Sequence, residues 1–253
     1  MSASGSGDPA AADQTGFDHA ILIQSLRLIR GWLGATGLDP VEQEVLERLV
    51  HSSGDLTIAP DLRFAIGGKS WGVAPGGHRG GGAGPETSRP GTICGPAMAA
   101  LAAGAPILTD TAMAAAAVAP MAGRTFGNPV HSVLAWAPEH APAGGTRTAA
   151  GIERALREHR GALVLIGSAP TALERLLELV AAGTVAPPTL VIGMPVGFVG
   201  VAESKRHLAL SGLPQIRLEG SRGGAGLVAA AVNALLRRAW LDRQDPSSGG
   251  PGA

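Results

Sequence analysis

The sequence contains one cysteine, Cys94, and no tyrosine among its 253 residues. A single cysteine excludes an internal disulfide framework and any CxxC zinc site, and it fits a reducing, cytoplasmic setting. An excess of charge of either sign is also missing. Lys+Arg and Asp+Glu both number 20, so no overall field draws the chain to nucleic acid or to an anionic membrane. No apolar run approaches the roughly 18 residues needed to span a bilayer. The first seventeen residues, MSASGSGDPAAADQTGF, hold no lysine, arginine or apolar centre, and so lack the pattern of a secretory signal. Their composition and that of 244-QDPSSGGPGA-253 predict disordered tails on either side of one domain over 18–243.

Several chemistry-bearing motifs are missing as well. The histidines at 19, 51, 78, 131, 140, 159 and 207 form no HxH, HxxxH or HExxH pair, which argues against a bound metal. There is no GxSxG elbow. The stretch 67-GGKS-70 looks like the end of a phosphate-binding loop, but Arg63 stands where that motif needs glycine. The turn 220-GSRGGAG-226 does not match GxGxxG. Two stretches lack any period: the Gly-rich 67–92 and 137–146. The first is long for a loop within a compact domain and is expected to be either mobile or functional.

The rest of the chain is periodic. Leu22, Leu26, Ile29 and Leu33 recur at helical spacing. A second helix is expected from Asp39, with Pro40 in its first turn and Glu42 completing a capping box, ending near His51. Residues 97–103 predict a helix, 106-PILTD-110 a strand ending in a carboxylate, and 111–119 another helix. Three strand–turn–helix units follow. Strand 162–167 leads to helix 171–182, opened by a Thr171-x-x-Glu174 box; strand 189–193 leads to a helix at 201–210; strand 215–219 leads to helix 223–240. Their strands are apolar without alternation, which predicts a parallel sheet covered on both faces in a doubly wound α/β fold. Ligands of such sheets bind beyond the carboxyl ends of the strands.

Two features at those ends carry chemistry. Backbone N–H groups at the start of the last helix, around Gly223 and Gly224 with Arg222 beside them, would suit a phosphate or a carboxylate. The same glycines also fit a tight turn required only by sterics. His51, near a helix C-terminus, would be favoured as imidazolium by the negative end of the helix dipole, and could act as a general acid near neutral pH. A histidine that merely caps its helix fits that position too.

Longer motifs bear on these alternatives. The runs 161-GALVLIGSAPTALERLLELVAAG-183, 192-IGMPVGFVGVAESKRHL-208 and 220-GSRGGAGLVAAAVNAL-235 resemble the precorrin-8X methylmutase family, as do 48-RLVHSSGD-55 and 104-GAPILTDTAM-113. The resemblance extends over about residues 20–240, excepting the Gly-rich insertion. It implies a flavodoxin-like three-layer α/β/α sandwich with a mostly parallel sheet. It also implies an isomerase of corrin-ring (cobalamin) biosynthesis that moves a methyl group from C-11 to C-12 of precorrin-8X, giving hydrogenobyrinate, or the cobalt form of each. No cofactor or metal is implied, and the only small-molecule partner is the tetrapyrrole. Carried over by motif, His51 corresponds to the catalytic histidine, and Ser25 and Arg147 to residues near the macrocycle. Gly193, Gly197, Lys205, Arg222, Gly223 and Gly224 are expected to hold its rim carboxylates, with the glycines letting backbone approach the ring. Glu203 is expected to pair with a base or cap its helix. Members of the family are homodimers with the site at or near the subunit interface. This sequence departs from the family pattern at Ser168, in place of asparagine, and at Ala225, in place of serine. Ala116 or Ala117 stands where the family has glycine. A non-catalytic tetrapyrrole-binding paralogue, or a diverged isomerase on another substrate, is the alternative; a flavin protein fits less well because no tyrosine is present to flank the ring.

Overall fold

The computed structural model of the chain describes residues 16–73 and 93–245. Residues 1–15 and 246–253, and 74–92 of the Gly-rich stretch, lie outside the described residues, and with them most of both expected tails. Phe17, placed in the N-terminal tail by composition, is held: Arg124 Nη2 donates to its carbonyl at 2.7 Å and the guanidinium lies over its ring.

The chain forms helices α1 (Ala20–Leu33) and α2 (Pro40–Ser53), a 3-10 turn (Leu56–Asp61), and strands β1 (Leu62–Ile66) and β2 (Lys69–Gly72). Then come α3 (Cys94–Ala102), β3 (Ile107–Thr109), α4 (Ala112–Arg124), β4 (Val130–Ser132), a second 3-10 turn (Val133–Trp136) and α5 (Arg147–Glu158). The last part alternates β5 (Leu163–Ile166), α6 (Pro170–Ala181), β6 (Leu190–Gly193), α7 (Val201–Leu210), β7 (Gln215–Leu218) and α8 (Ala225–Gln244).

The strands make one sheet in the order β2-β1-β7-β6-β5-β3-β4. From β7 to β4 every pairing is parallel. Counting only those five strands along the chain, the order is 2-1-3-4-5, the flavodoxin-like winding. The hairpin β1–β2 adds antiparallel strands beyond β7. Helices α1–α4 and α8 pack in one core and α5–α7 in the other, on opposite faces of the sheet. All residues of β5 and β6 are buried, because both faces are covered, which is why these strands read as unbroken apolar runs.

The structure corrects several sequence expectations. β1, β2 and β4 were not foreseen, and β2 falls inside the stretch read as aperiodic. The GGKS segment is the tip of the β1–β2 hairpin: Gly67 and Gly68 have φ of 59° and 78°, and Ile66 pairs with Lys69. A two-residue turn with both φ values positive matches the twist of its strands and favours glycine at both places. α4 continues to Arg124 through Pro120, and α8 reaches Gln244, into the expected tail. The Thr171–Glu174 box does not form. α6 begins at Pro170 with no side-chain cap; Thr171 instead bonds Thr146 at 2.8 Å and Glu174 meets His207 Nδ1 at 2.8 Å. The Asp39–Glu42 box is present with Pro40 behind it. Among the described residues no helix is long and apolar enough to cross a membrane.

Candidate active site

His51 lies in the last turn of α2, which Gly54 ends by adopting a left-handed conformation and donating its N–H to Val50 O. Ser25, in the middle of α1, places Oγ 2.9 Å from His51 Nδ1. α1 is held there by packing of Ile29 and by a two-pronged bond from Arg30 to Glu47, at 2.7 and 2.8 Å. The imidazole is exposed. Its ring is thus fixed by a neighbour on another helix while its far edge faces solvent.

Around this pair the chain gathers the turn between β7 and α8. Arg222 Nη1 donates to Thr57 Oγ1 at 2.9 Å and lies 3.5 Å from Asp55 Oδ2 and 3.7 Å from Asp61 Oδ2. Hydrogen bonds from Thr57, with Arg222 nearby, hold the Asp55 carboxyl below the usual carboxylate range. A Cβ on Gly226 would lie 3.8 Å from Ser52 Oγ, so the start of α8 faces the end of α2. The structure therefore brings His51, Ser25, Arg222 and the N-terminus of α8 into one neighbourhood.

Other expected site residues are placed differently. A Cβ on Gly223 would fall on the carbonyl of Met194, and one on Gly193 on the side chain of Leu208. Protein atoms fill the space a side chain would need at both positions: the turn before α7 at Gly223 and a leucine of α7 at Gly193. Gly224 N–H is taken by Met194 O at 2.9 Å and Gly197 N–H by Ser221 O at 3.1 Å. Lys205 is fully buried, with Nζ donating to Gly220 O at 2.8 Å and Arg222 O at 2.6 Å. Its ammonium is held by these two backbone carbonyls and has no exposed surface. Arg147 opens α5, on the opposite face of the sheet from α2, and its Nε bonds Pro138 O at 2.9 Å. Glu203 stands in the first turn of α7, with Arg206 at 3.9 Å.

Asp110 carries a function the sequence did not reveal. It directly follows β3, next to β5, where the winding of the sheet reverses. One oxygen, Oδ2, accepts the backbone N–H groups of Gly167, Ser168 and Ala169 at 3.1, 2.6 and 2.8 Å. Backbone amides at such a switch point ordinarily receive an anionic ligand; here the protein's own carboxylate receives them. Burial pushes the Asp110 carboxyl up, and the three amides offset only part of that. This arrangement opposes the flavin reading, because these amides are already engaged. The only signal in the sequence was a carboxylate at a strand end.

Two apolar surfaces border the site. On α1, Ile21, Leu28 and Trp32 are 70%, 50% and 58% exposed; they flank Ser25 at helical spacing. At the tip of the β6–α7 loop, Phe198 and Val199 are 95% and 89% exposed. Among the described residues no group of three His, Cys, Asp or Glu side chains is placed to hold a metal ion.

Comparison with known proteins adds to this geometry. The family model of precorrin-8X methylmutase matches residues 20–74 and 90–238. The chain is 36% identical over 227 residues to the cobalt-precorrin-8 methylmutase of Synechocystis sp., covering 89% of this chain and 98% of the relative. It is 46% identical over 225 residues to the precorrin-8X methylmutase of Sinorhizobium sp., covering 87% and 94%. Among solved structures, the precorrin-8x methyl mutase of Thermus thermophilus superposes with a TM-score of 0.68 at 34% identity, covering 87% of this chain and 98% of that one.

Proposed function

The chain belongs to the precorrin-8X methylmutase family, and we propose that His51 is the general acid of its methyl migration, with Ser25 orienting the ring. The enzyme is an isomerase of cobalamin biosynthesis. In the family's reaction a methyl group moves from C-11 to C-12 within one tetrapyrrole, so no donor is consumed and no group leaves. The protein has two tasks: to hold the macrocycle in a reactive conformer and to manage one proton on it.

The observation that carries this reading is the Ser25 Oγ–His51 Nδ1 bond of 2.9 Å at an exposed ring. With Nδ1 committed to Ser25, Nε2 is left to carry the proton toward substrate. Substrate binding over the ring would exclude water from it. Arg222, beside the start of α8, supplies positive potential for the acetate and propionate groups that ring a precorrin. Arg147 marks a second cationic position toward the far side of a wide ligand.

The exposed face of α1 supports a homodimer. Ile21, Leu28 and Trp32 surround Ser25, and a second copy packed on them would complete the wall of the site. Metal-free and cobalt-bound substrates present the same carboxylate rim, so these contacts serve either. The direct test is conversion of precorrin-8X to hydrogenobyrinate, followed by absorbance. A protein that binds hydrogenobyrinate and leaves precorrin-8X unchanged would instead be the non-catalytic binder.

A further inference from the structure

Only two of the 20 Lys+Arg residues are lysines, Lys69 and Lys205. Lys69 is exposed on β2, whereas Lys205 has no exposed surface. Its Nζ donates to the carbonyls of Gly220 and Arg222, at 2.8 and 2.6 Å, and the intervening carbonyl, Ser221 O, accepts the N–H of Gly197 at 3.1 Å. Three successive carbonyls of the β7–α8 turn are thereby tied to α7 and to the loop before it. A compact ammonium with three rotatable donors suits converging carbonyls, where a planar guanidinium would not.

We propose that Lys205 is a positioning residue for tetrapyrrole binding: it clamps the 220–222 backbone and so presents the Arg222 guanidinium and the start of α8 beside His51. The proposal rests on the reading of Arg222 as a rim-carboxylate ligand. The link from clamp to site is short. Lys205 fixes Arg222 through its own carbonyl, and the Arg222 side chain reaches Thr57 and Asp55, a few residues beyond His51.

Among the described residues no carboxylate touches the ammonium directly. Glu219, at the end of β7, and Asp61, before β1, act on it through space; Arg217 engages Glu219 at 2.9 Å and Arg222 lies 3.7 Å from Asp61. Burial outweighs their attraction and draws the Lys205 ammonium down to about 8 from 10.5. Above that pH the clamp is a neutral amine, whose bonds to carbonyls have roughly half the strength of charge-assisted ones. The effect on overall stability has the opposite sign. Between about 8 and 10.5 the unfolded chain holds the proton that the folded chain has released, so the stability due to this group rises with pH across that window. A positioning role thus predicts weaker binding while the fold gains stability. A purely structural role moves the two together.

The experiment titrates hydrogenobyrinate into the full-length protein from pH 7 to 9.5 by absorbance, for the parent and for Lys205→Met, with thermal midpoints alongside. For the parent the expected result is a severalfold loss of affinity above pH 8 with no fall in midpoint. Lys205→Met is expected to bind about tenfold more weakly at pH 7, the order of a lost charge-assisted bond, and to lack the alkaline step. A Lys205→Met protein with parental affinity and the same alkaline step would overturn the proposal. If that variant does not fold, a parental affinity that stays flat to pH 9.5 overturns it equally. A parent that binds no hydrogenobyrinate at any pH overturns the tetrapyrrole reading itself. Independently of any ligand, unchanged hydrogen exchange over residues 219–226 in Lys205→Met would remove the clamp.

Discussion

Ser25 Oγ and His51 Nδ1 lie 2.9 Å apart although 26 residues separate them in the chain. The bond joins the middle of α1 to the last turn of α2, so the orientation of the imidazole depends on how α1 docks. That docking is set in turn by Arg30, whose guanidinium grips the buried Glu47 carboxylate from outside. The proposed acid is therefore aimed by contacts between helices and not by its own turn alone.

His51→Ala is expected to abolish turnover of precorrin-8X while hydrogenobyrinate still binds. General acid–base groups contribute about two to four decades of rate, so an absorbance assay would register the loss plainly. Arg222 and the start of α8 are untouched by the change. Turnover at the parental rate would remove His51 from the mechanism.

Ser25→Ala should lower kcat by about tenfold or less and leave KM near its parental value. A single hydrogen bond contributes on the order of 1 kcal/mol, and here it orients a ring that remains chemically competent. Steady-state kinetics measures the split. A rise in KM with kcat unchanged would make Ser25 a substrate contact in place of an orienting group.

Asp110→Ala should destabilise the fold by about 1–3 kcal/mol, because it strands buried amides of the 167–169 turn. Asp110→Asn keeps an oxygen acceptor and is expected to stay within about 1 kcal/mol of the parent at neutral pH. The carboxyl is raised by burial above its ordinary 3.8. Its contribution to stability is accordingly full below 3.8 and is lost as pH rises through the raised folded value. Urea midpoints at acid and neutral pH should show that slope in the parent and its absence in Asp110→Asn. Equal midpoints for Asp110→Ala and the parent would contradict the assignment.

Light scattering of the full-length protein should give twice the 25.3 kDa chain mass. Trp32→Glu combined with Leu28→Glu should return it to the monomer and reduce turnover, since both residues flank Ser25 on the exposed face of α1. A parent already monomeric at micromolar concentration would count against the interface.

Residues 74–90, most of which the family match passes over, lack any apolar period. Their deletion is expected to leave cooperative thermal unfolding intact, whereas loss of the transition would show that the segment is structural. Activity lost with folding preserved would make it part of the site.

The doubly wound core was legible because its strands are buried on both faces. That burial demands continuous apolar runs, and β5 and β6 announce themselves by them. The Asp39–Glu42 cap was legible for a similar reason: it is a local contest for a few backbone N–H groups, settled by residues three apart. The β1–β2 hairpin was not, because GGKS has a turn composition that fits several structures, and only pairing with β7 selects one. The site divides along the same line. Residue type and motif singled out His51, Ser25 and Arg222, but the meeting of α1, α2 and the β7–α8 turn is a matter of packing over long separations. Lys205 and Asp110 show the limit most sharply. A lysine in a polar run reads as an exposed cation, and a carboxylate after a strand reads as a loop residue. Both are buried, because backbone groups from distant turns converge on them, and the direction in which a long-range contact pulls a polar side chain is not written in its neighbours along the chain.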